Sequence, residues 1–388
     1  AVYTRNLRMS DDFGVTVKQY GVSSVADTVK KSISAGDTAF NAIISTFWDA
    51  AALSADGYLA MLTDIDELNL GGEWWDQCSI RDLSINNRLF FAVNDISILA
   101  AEATVDVWLF NKDMLTSLGL EDPYSLVEND QWNYSKMMDM MKGAAYDADG
   151  NGKMDTNDVW GFANNSEGVI NSVFVAAGQN YIQKDENDIP YLAINNERAL
   201  NALSTTVDLM YKNPDSINKV SDMDEIFSSG RSLFHVQCLQ IVKRFRSMEI
   251  DFGILPNPKY DEYETDYHQG MHPIGGAFSL PSTLAGEELA KSAEISDILA
   301  HVSSETLIPA YYEVNLTNKL LRDDKSSAML DIILTNRSYD LMRPFNWGGL
   351  TDKINALVTR GERSFVSVYE ANADKVNDAI AKTVEQFK

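Results

Sequence analysis

Val15-Thr16-Val17-Lys18-Gln19-Tyr20 is rich in β-branched residues and predicts a strand. Ser24 follows as a helix N-cap, with Asp27 three residues on. Val25, Val29 and Ile33 then recur at i, i+4 and i+8, and Gly36 stands where a C-cap is needed. Phe40-Asn41-Ala42-Ile43-Ile44 predicts the next strand. So short a crossover predicts parallel pairing of the two strands with a right-handed turn.

The same grammar recurs along the chain. Further strands are expected at Val105–Phe110, Arg231–Val236, Phe252–Leu255 and Ala277–Leu280, with helical patterns between them. Ile295, Ile298, Leu299 and Val302 form one apolar stripe, and Met329, Ile332 and Ile333 belong to another. Ala1-Val2-Tyr3-Thr4-Arg5-Asn6 reads as the interior of a helix. Strands alternating with helices define an α/β class, and the long insertions between strands point to two lobes rather than one sheet.

The 388 residues allow one or two sizeable cores. Lys and Arg number 32 against 57 Asp and Glu, a formal net charge of −25. That balance argues against a nucleic-acid partner, whose phosphates need cationic side chains, and against docking of the body on anionic lipid. A solvated, self-repelling surface is the plain reading. Two cysteines, Cys78 and Cys238, exclude a disulfide scaffold, and neither lies in a zinc-binding spacing. Whether they are bridged is not legible in the sequence.

The sharpest local motif runs Asp147-Ala148-Asp149-Gly150-Asn151-Gly152-Lys153-Met154-Asp155-Thr156-Asn157-Asp158. Asp147, Asp149, Asn151, Asp155 and Asp158 bring side-chain oxygens to loop positions where calcium is commonly held. Gly152 stands at the sharp turn and Lys153 would offer its carbonyl. A structural Ca2+ is therefore expected. Asp158 is shorter than the Glu usual at its position and predicts weaker binding. The plain alternative is an Asp/Gly turn with no ion.

Aromatic residues supply the second signal. Sugar faces are apolar C–H patches that stack on rings while their hydroxyls take polar partners. Trp48, next to Phe47, directly follows the predicted strand Phe40–Ile44, and ligands in open α/β sheets lie beyond the carboxyl ends of strands. Trp347 lies in Phe345-Asn346-Trp347-Gly348-Gly349, a glycine-bearing loop that suits a ligand contact. Trp74, Trp75, Trp108, Trp132 and Trp160 read as packing. Enzymatic signatures are scarce: the four histidines, His235, His268, His272 and His301, sit in no metal or triad motif. Tyr311-Tyr312 reads as part of a packed helix rather than a ferric-iron pair.

Asp106-Val107-Trp108-Leu109-Phe110-Asn111-Lys112-Asp113-Met114-Leu115-Thr116-Ser117-Leu118-Gly119-Leu120 resembles the strand-into-helix segment of bacterial extracellular solute-binding proteins of the carbohydrate class, maltodextrin-binding proteins among them. Ala35-Gly36-Asp37-Thr38-Ala39-Phe40, Trp74-Trp75-Asp76-Gln77, Phe91-Ala92-Val93-Asn94-Asp95-Ile96-Ser97, the loop Asp147–Phe162, Phe252-Gly253-Ile254-Leu255-Pro256-Asn257-Pro258-Lys259 and Pro309-Ala310-Tyr311-Tyr312-Glu313 resemble that family in the same order. The resemblance implies a periplasmic-binding-protein-like fold of two α/β lobes joined by a hinge, with a ligand cleft between them. Lobe 1 is expected over 1–106 and 273–320, lobe 2 over 107–272 and 321–388. The family opens with a strand of the first lobe, so a strand ahead of Ala1 is implied as well.

By the same resemblance the chain is a monomeric substrate-binding subunit of an ATP-binding-cassette (ABC) importer. It would lie in the periplasm, or be lipid-anchored outside a Gram-positive membrane, and pass its carbohydrate to a membrane permease. Residues 94–104 would line the first crossing. Asp95 would accept from sugar hydroxyls, Thr104 would make a polar ligand contact, and Gln237 and His272 would serve the second lobe or hinge. With Phe47, Trp48, Asn346 and Trp347 these are the candidate ligand contacts. Three rivals stand beside this reading: a binder of peptides, polyamines or anionic sugars; a secreted glycosidase; and a calcium-dependent adhesion module.

Overall fold

A computed structural model of the chain describes residues 1–97, 104–164, 166–218, 223–312 and 324–388. Its larger sheet has five strands in the order Ser216–Ile217, Trp160–Ala163, Ser232–Cys238, Asp106–Asn111, Phe252–Leu255. Asp106–Asn111 is buried along its whole length and runs antiparallel to both neighbours, with Trp108 opposite Val236 on one side and Leu255 on the other. Trp160–Ala163 pairs in parallel with Ser232–Cys238 and with Ser216–Ile217. Full burial explains why Val-Trp-Leu-Phe reads as a continuous apolar run. Gly253 is required by this packing, because a Cβ there would lie 2.2 Å from both the Phe110 ring and the Tyr124 hydroxyl.

The second layer is smaller. Ile43–Ser45 pairs antiparallel with Ala277–Ser279, and single bridges add Ala92 opposite Phe278 and Leu59 opposite Pro281. Around it lie the helices Val25–Ser34, Phe47–Ala55 and Gly286–Ala310, the last packed against Val2–Phe13. Two expectations are corrected here. Residues 15–20 form no strand: only Val15 and Val17 are even half-buried, too little apolar face to hold a ladder. Ile43–Ser45 accordingly finds an antiparallel partner far downstream instead of a parallel one close by. The helix between does form. The Ser24 hydroxyl accepts from the Asp27 N–H, and Gly36 takes the left-handed conformation at φ 68° just past its end.

Between the layers three segments run side by side. The His272 N–H donates to the Thr104 carbonyl at 2.9 Å, Val105 bridges Met271, and Gln269–Gly270 pairs in parallel with Arg337–Ser338. The expected exchange at residue 320 and most of the expected first crossing lie in 313–323 and 98–103, outside the described residues. No helix among the described residues is long and apolar enough to cross a membrane.

Candidate functional site

Two adjoining hollows open where the layers meet. The first, about 140 Å³, is lined by Asp106, Gln237, Cys238, His272, Ile274 and Arg343, among others. The second, about 80 Å³, has Trp48, Pro273, Arg343, Asn346, Thr351 and Asp352 in its wall. Arg343 belongs to both, and the chain His272-Pro273-Ile274 forms the wall between them. The two hollows adjoin at Arg343 and together form the candidate cleft.

Trp48 is the second residue of the helix Phe47–Ala55, whose N-cap Thr46 accepts from the Asp49 N–H. Its ring is 41% exposed, its Nε1 donates to the Arg343 carbonyl at 3.1 Å, and it meets the His272 ring edge-on at 6.2 Å. The indole is thus fixed at two points and stays partly exposed. Next to it, three buried polar atoms have no hydrogen-bond partner among the described residues: Arg343 Nη1, Asn346 Oδ1 and Thr351 Oγ1. Buried polar atoms are nearly always paired, and these three belong to residues that share the wall of the second hollow. Asn346 is held at φ 43° and donates from Nδ2 to Asp352 at 2.8 Å, which leaves its oxygen as the open group.

In the first hollow the Gln237 carboxamide is tied at both ends, donating to Asp224 and accepting from the Cys238 N–H, each at 2.9 Å. Asp224 also meets His235 Nε2 at 3.1 Å, and these contacts, His235 first, hold its carboxyl below the usual range. Burial lowers the His272 imidazole from its ordinary value, and the nearby Arg343 charge adds to the effect. Cys238 and Cys78 are both free thiols. Burial pushes the Cys238 thiol up to about 12, which leaves it unreactive.

Of the expected ligand contacts, Trp48, Gln237, His272 and Asn346 line the cleft. Phe47 does not. Its ring is 2% exposed, packed on Phe91 and Tyr339, because successive helical residues point about 100° apart. Trp347 is likewise a core residue, stacked on Phe345 at 4.8 Å with Nε1 donating to Thr383. Thr104 is 1% exposed and lines neither hollow; its carbonyl accepts the His272 N–H. Asp95 lines neither hollow; its N–H donates to the Trp74 carbonyl. Arg343, Thr351 and Asp106 were missed. Arg343 and Thr351 lie in helical stretches with no motif around them, and Asp106 opens an apolar strand.

In the Asp/Gly loop, Asp147, Asp149 and Asp158 each bring a carboxylate oxygen to within 4.8 Å of the others. Asp147 accepts the backbone N–H groups of Gly152, Gly150 and Asn151, which hold its carboxyl below the usual range. Gly152 sits at φ 78°, as the turn requires. Asn151, Lys153 and Asp155 stand outside the converging trio. Asn151 donates to Asp149, the Lys153 N–H donates to Asn151, and Asp155 accepts from the Asn157 N–H.

No protein-family model matches the sequence, and no curated protein matches it. Solved structures do. The maltose/maltodextrin-binding domain MalE from Bdellovibrio bacteriovorus, bound to maltotriose, is similar at TM-score 0.59 and 13% identity over 100% of this chain and 94% of that one. A cyclo/maltodextrin-binding protein complexed with maltotetraose is similar at TM-score 0.66 and 12% identity, covering 100% and 93%. UgpB from Mycobacterium tuberculosis, in complex with glycerophosphocholine, is similar at TM-score 0.62 and 15% identity, covering 98% and 95%. The chain has the two-lobed, periplasmic-binding-protein-like α/β fold of these solute-binding proteins.

Proposed function

We propose that the chain is the substrate-binding subunit of an ABC importer, acting outside the cytoplasmic membrane as a monomer and capturing a carbohydrate in the cleft. The observation that carries this reading is the partly exposed Trp48 ring in the same wall as Arg343, Asn346 and Thr351, each with a buried polar atom that has no hydrogen-bond partner among the described residues. A ring platform suits the C–H face of a sugar, and the polar trio suits its hydroxyls. The cleft draws walls from both lobes, taken as 1–106 with 273–320 and 107–272 with 321–388. A ligand touching both therefore favours the closed state by its differential affinity, and the closed form docks on a permease. No bond is made or broken by this subunit.

A thermal-shift screen against mono- and oligosaccharides, peptides and polyamines tests the reading, since a ligand that binds only the native state raises the melting temperature. A rise with one saccharide family supports it. A rise with a peptide or polyamine and none with any saccharide overturns the substrate class and leaves the fold untouched.

The Asp/Gly loop is proposed to hold a structural Ca2+ through Asp147, Asp149 and Asp158, with Asn151, Asp155 and the Lys153 carbonyl completing the oxygen set. Three convergent carboxylates repel one another, and a hard cation relieves that repulsion with the oxygen ligands it prefers. Calcium at a hundredfold over its dissociation constant is expected to add about 2.7 kcal/mol of stability. Asp149→Asn, at the exposed member of the trio, should remove most of that gain. A melting temperature indifferent to calcium and chelator would rule the site out.

A further inference from the structure

Arg343 is the one residue common to both hollows, and no ion pair among the described residues takes up its charge. No carboxylate lies within ion-pair distance of it among the described residues, and its buried Nη1 has no hydrogen-bond partner among them. The acidic groups nearby are committed elsewhere. Asp106 accepts from Asn171 Nδ2 at 2.9 Å, and Asp352 accepts from Asn346. Asp340, behind the cleft, takes the backbone N–H groups of Tyr181 and Met342. Its carboxyl is pushed up to about 6 by burial, with those hydrogen bonds and the more distant Arg343 charge acting against the rise. Burial, and Arg343 itself, lower the His272 imidazole from its ordinary value. A guanidinium nitrogen withdrawn from water without an acceptor is costly, and an oxyanion matches its planar fork with two parallel bonds. A neutral hydroxyl can accept one bond but leaves the charge uncompensated.

Resting on the carbohydrate reading above, we propose that the cargo is an acidic saccharide, a sugar bearing a carboxylate or phosphate whose oxyanion pairs with Arg343 while a ring face lies on Trp48. The division of labour follows from placement. Trp48, Asn346 and Thr351 hold the sugar in the second hollow, and Arg343 reads the charged substituent at the junction with the first.

The test is a calorimetric titration of the full chain with matched neutral and uronate-bearing oligosaccharides and with a sugar phosphate. The acidic member should bind at least about tenfold more tightly than its neutral counterpart, the scale of a hydrogen bond to a charged group. Preference for uronate or for phosphate identifies which oxyanion is carried. In Arg343→Gln the acid-over-neutral ratio should fall to about one, and Arg343→Lys, which keeps the charge without the fork, should retain part of it. Near-ultraviolet circular dichroism of both variants shows that the cleft is still folded. A neutral saccharide bound as tightly as the acidic one, or a ratio unchanged in Arg343→Gln, overturns the inference and leaves the carbohydrate reading standing. Binding of no saccharide at all overturns both.

Discussion

Trp48→Ala is expected to weaken saccharide binding by roughly 30- to 150-fold, the equivalent of about 2–3 kcal/mol for a central aromatic contact. The ring is 41% exposed in the cleft wall, so it buries its remaining face only when ligand arrives. Its indole N–H already has a partner in the Arg343 carbonyl, so the ring contributes a fixed surface and loses little freedom on binding. The same exposure predicts a small effect on the fold, with the melting temperature of the empty protein nearly unchanged. Trp48→Phe, which keeps a smaller platform, should fall between. Titration of the three proteins with the best saccharide from the screen checks this. A Trp48→Ala variant binding within about twofold of wild type, less than 0.5 kcal/mol, would mean that Trp48 is not the sugar platform.

Trp108→Ala should destabilise the protein by about 3–5 kcal/mol. Trp108 has no exposed surface, stacks on Phe162 at 4.9 Å and meets Tyr134 edge-on at 5.9 Å. Its Nε1 donates to Ser172 Oγ at 2.8 Å and Asn257 Oδ1 at 3.1 Å, so one indole ties the central strand to a helix and to the segment after Leu255. Removing it opens a cavity and strips a donor from a buried polar cluster. Trp108→Phe keeps much of the volume and should cost less. Denaturant unfolding followed by circular dichroism measures both, and a loss below about 1 kcal/mol for the alanine variant would mean the sheet does not depend on this packing.

The reach of the sequence follows the physics of each residue. Asp106–Asn111 and Phe252–Leu255 were legible because a strand buried on both faces must be apolar throughout, and both lie where that run lies. The helix after Ser24 was legible from its cap and stripe. Val15–Tyr20 misled because β-branched composition describes a strand only where another strand stands beside it, and residues 15–20 stay largely in solvent. Phe47 and Trp48 show the limit at single-residue scale. Both are apolar aromatics at the same helix start, and only the direction of each Cβ sends one into the core and the other into the cleft. The glycines around Trp347 suit a ligand contact or a packed core ring equally, and Phe345 and Thr383 draw it inside. Arg343 carried no local signal. Its significance arises from what surrounds it in space, Trp48, His272, Asn346 and Thr351, none of which is predictable as a neighbour from spacing along the chain.

The most direct test of cargo capture in the cleft is a calorimetric titration of the wild-type chain with the saccharide giving the largest thermal shift, followed by chromatography of the recovered sugar. Saturable one-to-one binding with the saccharide recovered intact is the predicted result. No saturable heat with any saccharide, or recovery of a cleaved product, would contradict it.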